Sequence, residues 1–214
     1  MTQIFIFGSS SAYGVGGENG GWADILKNKL HGLMFSKGGV GEKYELYNFA
    51  KPGEPISFVS NNFKNQLEKY RRSGKTIILV SIGGNNSRAK DTPDNFISTV
   101  DEYRKEMTEL LTELKDNVNE VMFIGGGCVD ESKTYPKPNP LTGGQDYFSN
   151  KRGSEFKKVL IEICSQIGVR FVSPGTDDEE WVEKYLFEDG LHPNQSGHEL
   201  IAEKIWLELR PLLD

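Results

Sequence analysis

Apolar residues along this chain fall into two patterns: short continuous runs, and longer stretches where they recur every three or four positions. Ile4-Phe5-Ile6-Phe7 is the first run and ends at Gly8. Thr76 to Ile82 is the clearest, because Ile77, Ile78, Leu79 and Val80 are continuous. Such a run marks a strand covered on both faces. Tyr44 to Ala50, Asn119 to Ile124 and Val169 to Val172 complete five predicted strands. Helical spacing appears between them. Trp22, Ile25, Leu26, Leu30 and Leu33 share one face, as do Ile56, Val59, Phe63, Leu67 and Tyr70. A long helix is predicted from Pro93 to Asn117, with Phe96, Val100, Tyr103, Met107, Leu110 and Leu114 inward. Phe156, Val159, Leu160, Ile163 and Ile167 mark the next, which Gly168 ends, and Ile201, Ile205, Leu209 and Leu212 mark the last. Thr176 to Leu186 reads as partly helical, with Asp177, Asp178 and Glu179 suited to a helix N-terminus. Phe35 to Lys43, Gly125 to Tyr147 and Phe187 to Gln195 read as loops. Five strands alternating with helices predict an α/β fold, a five-stranded parallel sheet with helices on both faces in three layers. With no repeat or linker, one domain is expected over residues 1–214.

Composition narrows the partners. The formal net charge is -6, and the one basic cluster, Lys69-Tyr70-Arg71-Arg72, reads as the basic end of a helix. A nucleic-acid binder needs a basic stripe facing phosphates, so that class is set aside. No apolar run approaches membrane-spanning length, and the first residues do not read as a signal peptide. The two cysteines form no framework: Cys164 lies on an apolar helix face as a core thiol, and Cys128 follows three glycines, where it can approach a site. The expectation is a soluble protein of a reducing cytoplasm.

Four stretches carry candidate chemistry: Gly8-Ser9-Ser10, Asn48 to Gly53, Gly83-Gly84-Asn85-Asn86, and Asp189-Gly190-Leu191-His192-Pro193. The first three follow predicted strands, so their loops open at the carboxyl edge of the sheet, where such folds place ligands. A serine hydroxyl needs a base to become a nucleophile, and the base needs a group that orients it. Ser10 is the candidate nucleophile, His192 the base, and Asp189 the orienting carboxylate from the same turn. The backbone N–H groups of Ser10 and Gly53 and the side-chain amide of Asn85 are candidate oxyanion donors, and loss of one such donor typically raises a barrier by about 2.7–4 kcal/mol. Taken singly, each has a plainer explanation: a helix cap, a turn glycine, a loop asparagine, a local hydrogen bond. Their joint occurrence in this order carries the information. His31 reads as a surface residue and His198 as structural, and no metal-ligand set or cofactor fingerprint is present.

These blocks resemble the SGNH hydrolases, the GDSL family of esterases and lipases, over almost the whole chain. The family's Phe-Gly-Asp-Ser block, with a glycine four residues on, matches Phe7-Gly8-Ser9-Ser10 and Gly14. Its Asn-x-x-x-x-Gly matches Asn48 and Gly53, its Gly-x-Asn-Asp matches Gly83 to Asn86, and its Asp-x-x-His-Pro is intact at Asp189, His192 and Pro193. The resemblance implies a flavodoxin-like sheet, Ser10 as nucleophile, and metal-free hydrolysis through an acyl-enzyme. Two positions depart from it: Ser9 and Asn86 stand where the family usually has aspartate. Neither is a triad member or oxyanion donor, so they are expected to alter local hydrogen bonds rather than the reaction type.

The expected partner is a small-molecule ester. The segment Cys128 to Phe148, with Tyr135, Tyr147 and Phe148, is a candidate wall or lid. Its lysines, asparagines and glycines do not describe a deep apolar tunnel, which favours short acyl groups on a polar or carbohydrate alcohol. Two alternatives remain: acyl transfer at the same site, and a non-catalytic flavodoxin-like domain whose Ser9, Ser10 and Ser11 contact a flavin phosphate.

Overall fold

The computed structural model describes residues 1–36, 38–140 and 142–213. Lys37 in the predicted 35–43 loop, Leu141 in the 125–147 loop and Asp214 lie outside the described residues. Five parallel strands form the main sheet: β1 (Thr2–Gly8), β2 (Tyr44–Asn48), β3 (Lys75–Ser81), β5 (Glu120–Ile124) and β8 (Arg170–Val172), in the order β2-β1-β3-β5-β8. Three short strands, β4 (Ala89–Lys90), β6 (Lys137–Pro138) and β7 (Gln145–Tyr147), form a separate antiparallel sheet, ordered β4-β7-β6. The helices are α1 (Ser10–Tyr13), α2 (Trp22–Phe35), α3 (Ile56–Tyr70), α4 (Val100–Asn117), α5 (Glu131–Thr134), α6 (Asn150–Ile167), α7 (Asp178–Glu180) and α8 (Gln195–Leu209). A wider helical turn, Trp181–Tyr185, continues α7.

The alternation of side chains along each strand divides the core between the two faces. Phe5, Phe7, Ile78, Val80 and Phe123 meet α3, α4 and α6 on one side, while Ile4, Ile6, Ile77, Leu79 and Met122 meet α2 and α8 on the other. The continuous apolar runs are thus strands buried on both faces, as their pattern predicts. Cys164 is buried in the first of these cores.

Three expectations need correction. The helix predicted from Pro93 begins at Val100, where Thr99 and Glu102 form a reciprocal capping box. The preceding residues fold back on β4 instead: Ile97 N–H donates to the Arg88 carbonyl, and Phe96 pairs with Ala89. Phe96 is therefore exposed, with the Arg152 guanidinium 3.8 Å over its ring. Tyr70 is also outside the core; it ends α3 at the sheet edge against the rings of Tyr47 and Phe49. The second strand stops at Asn48, because the side chain of Asn48 turns the backbone by accepting from Ala50 N–H.

Candidate active site

The exit of β1 is shaped by a close approach. A Cβ on Gly8 would lie 2.4 Å from the Ser81 carbonyl oxygen and 2.7 Å from Ala12 Cβ, so only glycine lets α1 turn this tightly over β3. Ser9 caps α1 with its backbone, and Gly14 ends it at φ 104°. Asn48 Nδ2 donates to the Ala12 carbonyl at 2.8 Å and fastens the short helix to the end of β2. Ser10 is the first residue of α1. The N–H groups of a first helical turn have no intrahelical partner and are free to bind a ligand.

The Asp189–His192 turn closes the opposite side. Asp189 Oδ1 accepts from the backbone N–H groups of Leu191 and His192 at 3.0 and 3.1 Å. Its Oδ2 lies 2.6 Å from His192 Nδ1. A carboxylate only accepts, so Nδ1 carries the hydrogen and Nε2 keeps its lone pair. Burial works to raise the pKa of Asp189, but hydrogen bonds from the His192 ring and the two N–H groups overcome it and hold the carboxyl well below the usual range. Gly190 takes φ 74°, and a Cβ there would meet Lys133 Cβ at 2.8 Å. Phe187 N–H donates to the His192 carbonyl, and Asn194 caps α8, fixing the turn at both ends.

Asn85 lies in the single turn Gly84–Ser87 that follows β3. Its Nδ2 donates to the Glu54 carbonyl at 3.0 Å, and its Oδ1 accepts from Arg88 Nη1 at 3.4 Å. An amide nitrogen carries two hydrogens, so one is left for a ligand. Ser10, Asn85 and His192 line one cavity of about 250 Å³. No hydrogen bond joins Ser10 to His192 among the described residues. Gly53, at φ 82°, turns the chain between β2 and α3; it is not among the lining residues but adjoins Glu54, the anchor of Asn85.

Away from Ser10 much of the wall is apolar, with Ile82, Phe123, Phe156, Leu160, Phe171 and Trp181, beside the charged Lys157 and Asp178. The sequence pattern assigns most of these to strand or helix cores. The signal that marks them out is the row Gly125-Gly126-Gly127. A Cβ on Gly125 would lie 2.6 Å from Phe171, and one on Gly127 2.3 Å from Trp181, so the glycines let both rings pack flush against the backbone. Of the segment 128–148, Cys128, Val129 and Phe148 form one wall, whereas Tyr135 and Tyr147 stack edge to face outside the lining. Burial first, then the nearby Asp178 carboxylate, pushes the Cys128 thiol up to about 11, so it stays protonated at neutral pH.

The other two histidines stand apart from this chemistry. His31 is exposed on α2. His198 is fully buried, accepts from Trp22 N–H at Nδ1 and donates to the Val15 carbonyl from Nε2 at 3.0 Å. Lys137 is a neighbour with no local sequence signal: it reaches the Asp189 carbonyl at 2.7 Å from a loop without periodicity. Among the described residues no helix is long and apolar enough to cross a membrane.

Solved structures of similar fold span nearly the whole chain. The lipase/acylhydrolase from Enterococcus faecalis superposes with a TM-score of 0.71 at 18% identity, covering 100% of this chain and 98% of that one. The psychrotrophic esterase EstA from Pseudoalteromonas sp. gives 0.65 at 16% identity, covering 99% and 98%. The acetylxylan esterase Axe2 from Geobacillus stearothermophilus gives 0.68 at 14% identity, covering 97% and 93%. At these identities the likeness establishes the three-layer fold. No curated protein sequence matches the chain. A family profile does, over residues 6–200, from the end of β1 through the Asp189–His192 turn into α8, and by that match the chain belongs to the GDSL-like lipase/acylhydrolase family.

Proposed function

We propose that this family member hydrolyses carboxylic esters through an acyl-enzyme, with Ser10, His192 and Asp189 as its triad. The supporting observation is the His192–Asp189 contact at 2.6 Å on the cavity that Ser10 also lines. In this reading Ser10 Oγ attacks the ester carbonyl while His192 Nε2 takes the hydroxyl proton. Asp189 keeps the imidazole in the required tautomer and stabilises the cation that forms. The oxyanion receives hydrogen bonds from Ser10 N–H, the free Nδ2 hydrogen of Asn85 and Gly53 N–H. The tetrahedral intermediate collapses, His192 protonates the departing alcohol, and a water activated by the same histidine releases the acid. Ser10→Ala is expected to abolish both ester turnover and labelling by a fluorophosphonate probe. Undiminished labelling of that variant, or none of the parent, would defeat the proposal.

The acyl group in this reading is short. A space of about 250 Å³ sits below the roughly 300–1,000 Å³ of pockets that take drug-sized ligands. Its aromatic walls suit a few methylenes at most, and the polar rim of serines and asparagines suits the alcohol of an acetylated carbohydrate. The acetylxylan esterase among the structural relatives is compatible with such a substrate. Nitrophenyl acetate and butyrate are expected to turn over faster than the decanoate; the reverse order rules out the short-chain assignment.

A further inference from the structure

Lys137 and Asp146 stand directly opposite each other on the β6–β7 hairpin. Opposite charges on such a rung ordinarily pair together. Here each is committed elsewhere. Lys137 Nζ donates to the Asp189 carbonyl at 2.7 Å and lies 3.5 Å from Asp189 Oδ2, the oxygen that binds the His192 ring. Asp146 Oδ2 accepts from Arg88 Nη1 at 3.2 Å and from Asn139 Nδ2 at 2.8 Å, and the same Arg88 nitrogen donates to Asn85 Oδ1. One hairpin therefore reaches both the Asp189–His192 turn and the oxyanion asparagine.

The Arg88–Asp146 pair is poorly built for stability. Both side chains are largely buried, at 17% and 7% exposure, yet among the described residues Arg88 Nε and Asp146 Oδ1 have no hydrogen-bond partner. Desolvation of an incompletely satisfied ion pair offsets most of its attraction. What the pair does accomplish is to hold the Asn85 amide. With Oδ1 on Arg88 and one Nδ2 hydrogen on Glu54, the amide cannot flip, and its remaining donor is fixed in the cavity wall.

We propose that the β6–β7 hairpin braces the site at both ends, with Lys137 positioning the Asp189 carboxylate that orients His192, and with Asp146 fixing Asn85 through Arg88. This rests on the roles proposed above for Asp189, His192 and Asn85. The Lys137 ammonium shares the oxygen that holds the imidazole, so it fixes where that oxygen sits. Other charged and titratable groups surround the turn. Lys133 is paired with Asp130 behind Gly190, Glu188 precedes Asp189, the buried His198 is close enough to His192 to feel its charge, and Asp178 and Lys157 also line the cavity. Among the described residues, Lys137 and His192 alone form ion pairs with the Asp189 carboxylate.

The test is the NMR signal of the His192 Nδ1 proton at one fixed pH in the parent, Lys137→Met and Lys137→Arg, with the signal assigned by its loss in His192→Gln. Lys137→Met is expected to move or broaden that signal as the Asp189 carboxylate loses its second partner, while Lys137→Arg keeps the parental position. A folded Lys137→Met whose signal is unmoved overturns the brace. This readout needs no turnover, so it stands even if the hydrolase reading fails in the Ser10→Ala experiment. At the other end, Asp146→Asn is expected to lower kcat about tenfold with KM little changed, as befits a donor used in the transition state. Arg88→Met, which removes the one nitrogen that Asp146 and Asn85 share, should do the same. An unchanged kcat in either folded variant also overturns the brace.

Discussion

At the scale of single residues, the two departures from the family pattern have different consequences. Ser9 keeps the backbone role of its position: its N–H donates to the Ser81 carbonyl, and its carbonyl accepts from Tyr13. Asn86 does more. Buried at 2% exposure, its Oδ1 accepts from Ile56 N–H at the start of α3, and its Nδ2 donates to Ser98 Oγ and to Glu106 Oε2. An aspartate there would still accept from Ile56 but would set a carboxylate against Glu106. Asn86→Asp is therefore expected to destabilise the protein at pH 7 by about 1–3 kcal/mol in urea unfolding, the cost of leaving buried polar groups mispaired. Adding Glu106→Gln should restore most of the loss. Equal stability of Asn86→Asp and its parent would refute the reading. The candidate site was legible at this scale because its groups sit in short blocks tied to strand ends. The Lys137–Asp189 contact and the Arg88–Asp146 pair were not, because they span 52 and 58 positions and no local pattern encodes them.

At the scale of elements, the main sheet could be read from its continuous apolar runs, and the helices from their spacing. The small sheet could not. Strands of two or three residues, Ala89–Lys90, Lys137–Pro138 and Gln145–Tyr147, carry no period, and their sequence reads as loop. The start of α4 departs from the periodicity for a related reason: Phe96 has helical spacing to Val100, but the capping box at Thr99 sets the boundary. The apolar half of the cavity was hidden in plain sight, since an aromatic that lines a pocket and one that fills a core have the same periodicity. The glycine row at 125–127 separates the two cases. Gly127→Ala should drive a methyl into the Trp181 ring, which is only 2% exposed and has little room to move. A loss of about 1–3 kcal/mol is expected, with a change in tryptophan fluorescence. An unchanged unfolding midpoint and spectrum would show that the ring is not packed as described.

At the scale of the whole molecule, the buried His198 and the half-buried Asp189 shape the response to acid. Burial depresses the pKa of His198, so the fold excludes a proton that the unfolded chain takes up. Its contribution to stability is complete above the ordinary histidine value of 6.5 and declines as pH falls below it. The Asp189 carboxyl is depressed too, so its contribution is complete above the ordinary value of 3.8 and is lost only at lower pH. Urea midpoints should therefore fall in two stages between pH 7.5 and 3. His198→Gln should remove the first stage, and Asp189→Asn should weaken the second. A midpoint that is flat between pH 7.5 and 5 in the parent contradicts the role given to His198.

His198 has a further consequence, one of timing. Asp189 and His192 meet inside a single turn, at almost no cost in chain entropy. Ser10 and His192 come from opposite ends of the sequence, and His198 ties those ends through bonds to Trp22 and Val15 across 176 and 183 positions. Contacts of such separation form late in folding. On a ribosome, a chain that has emerged only as far as β8 already holds Ser10, the proposed nucleophile, yet lacks His192, its proposed base. The proposed chemistry is thereby tied to completion of the fold: a copy cut short before His192 carries the serine alone, and His198 on α8 then draws the two ends together.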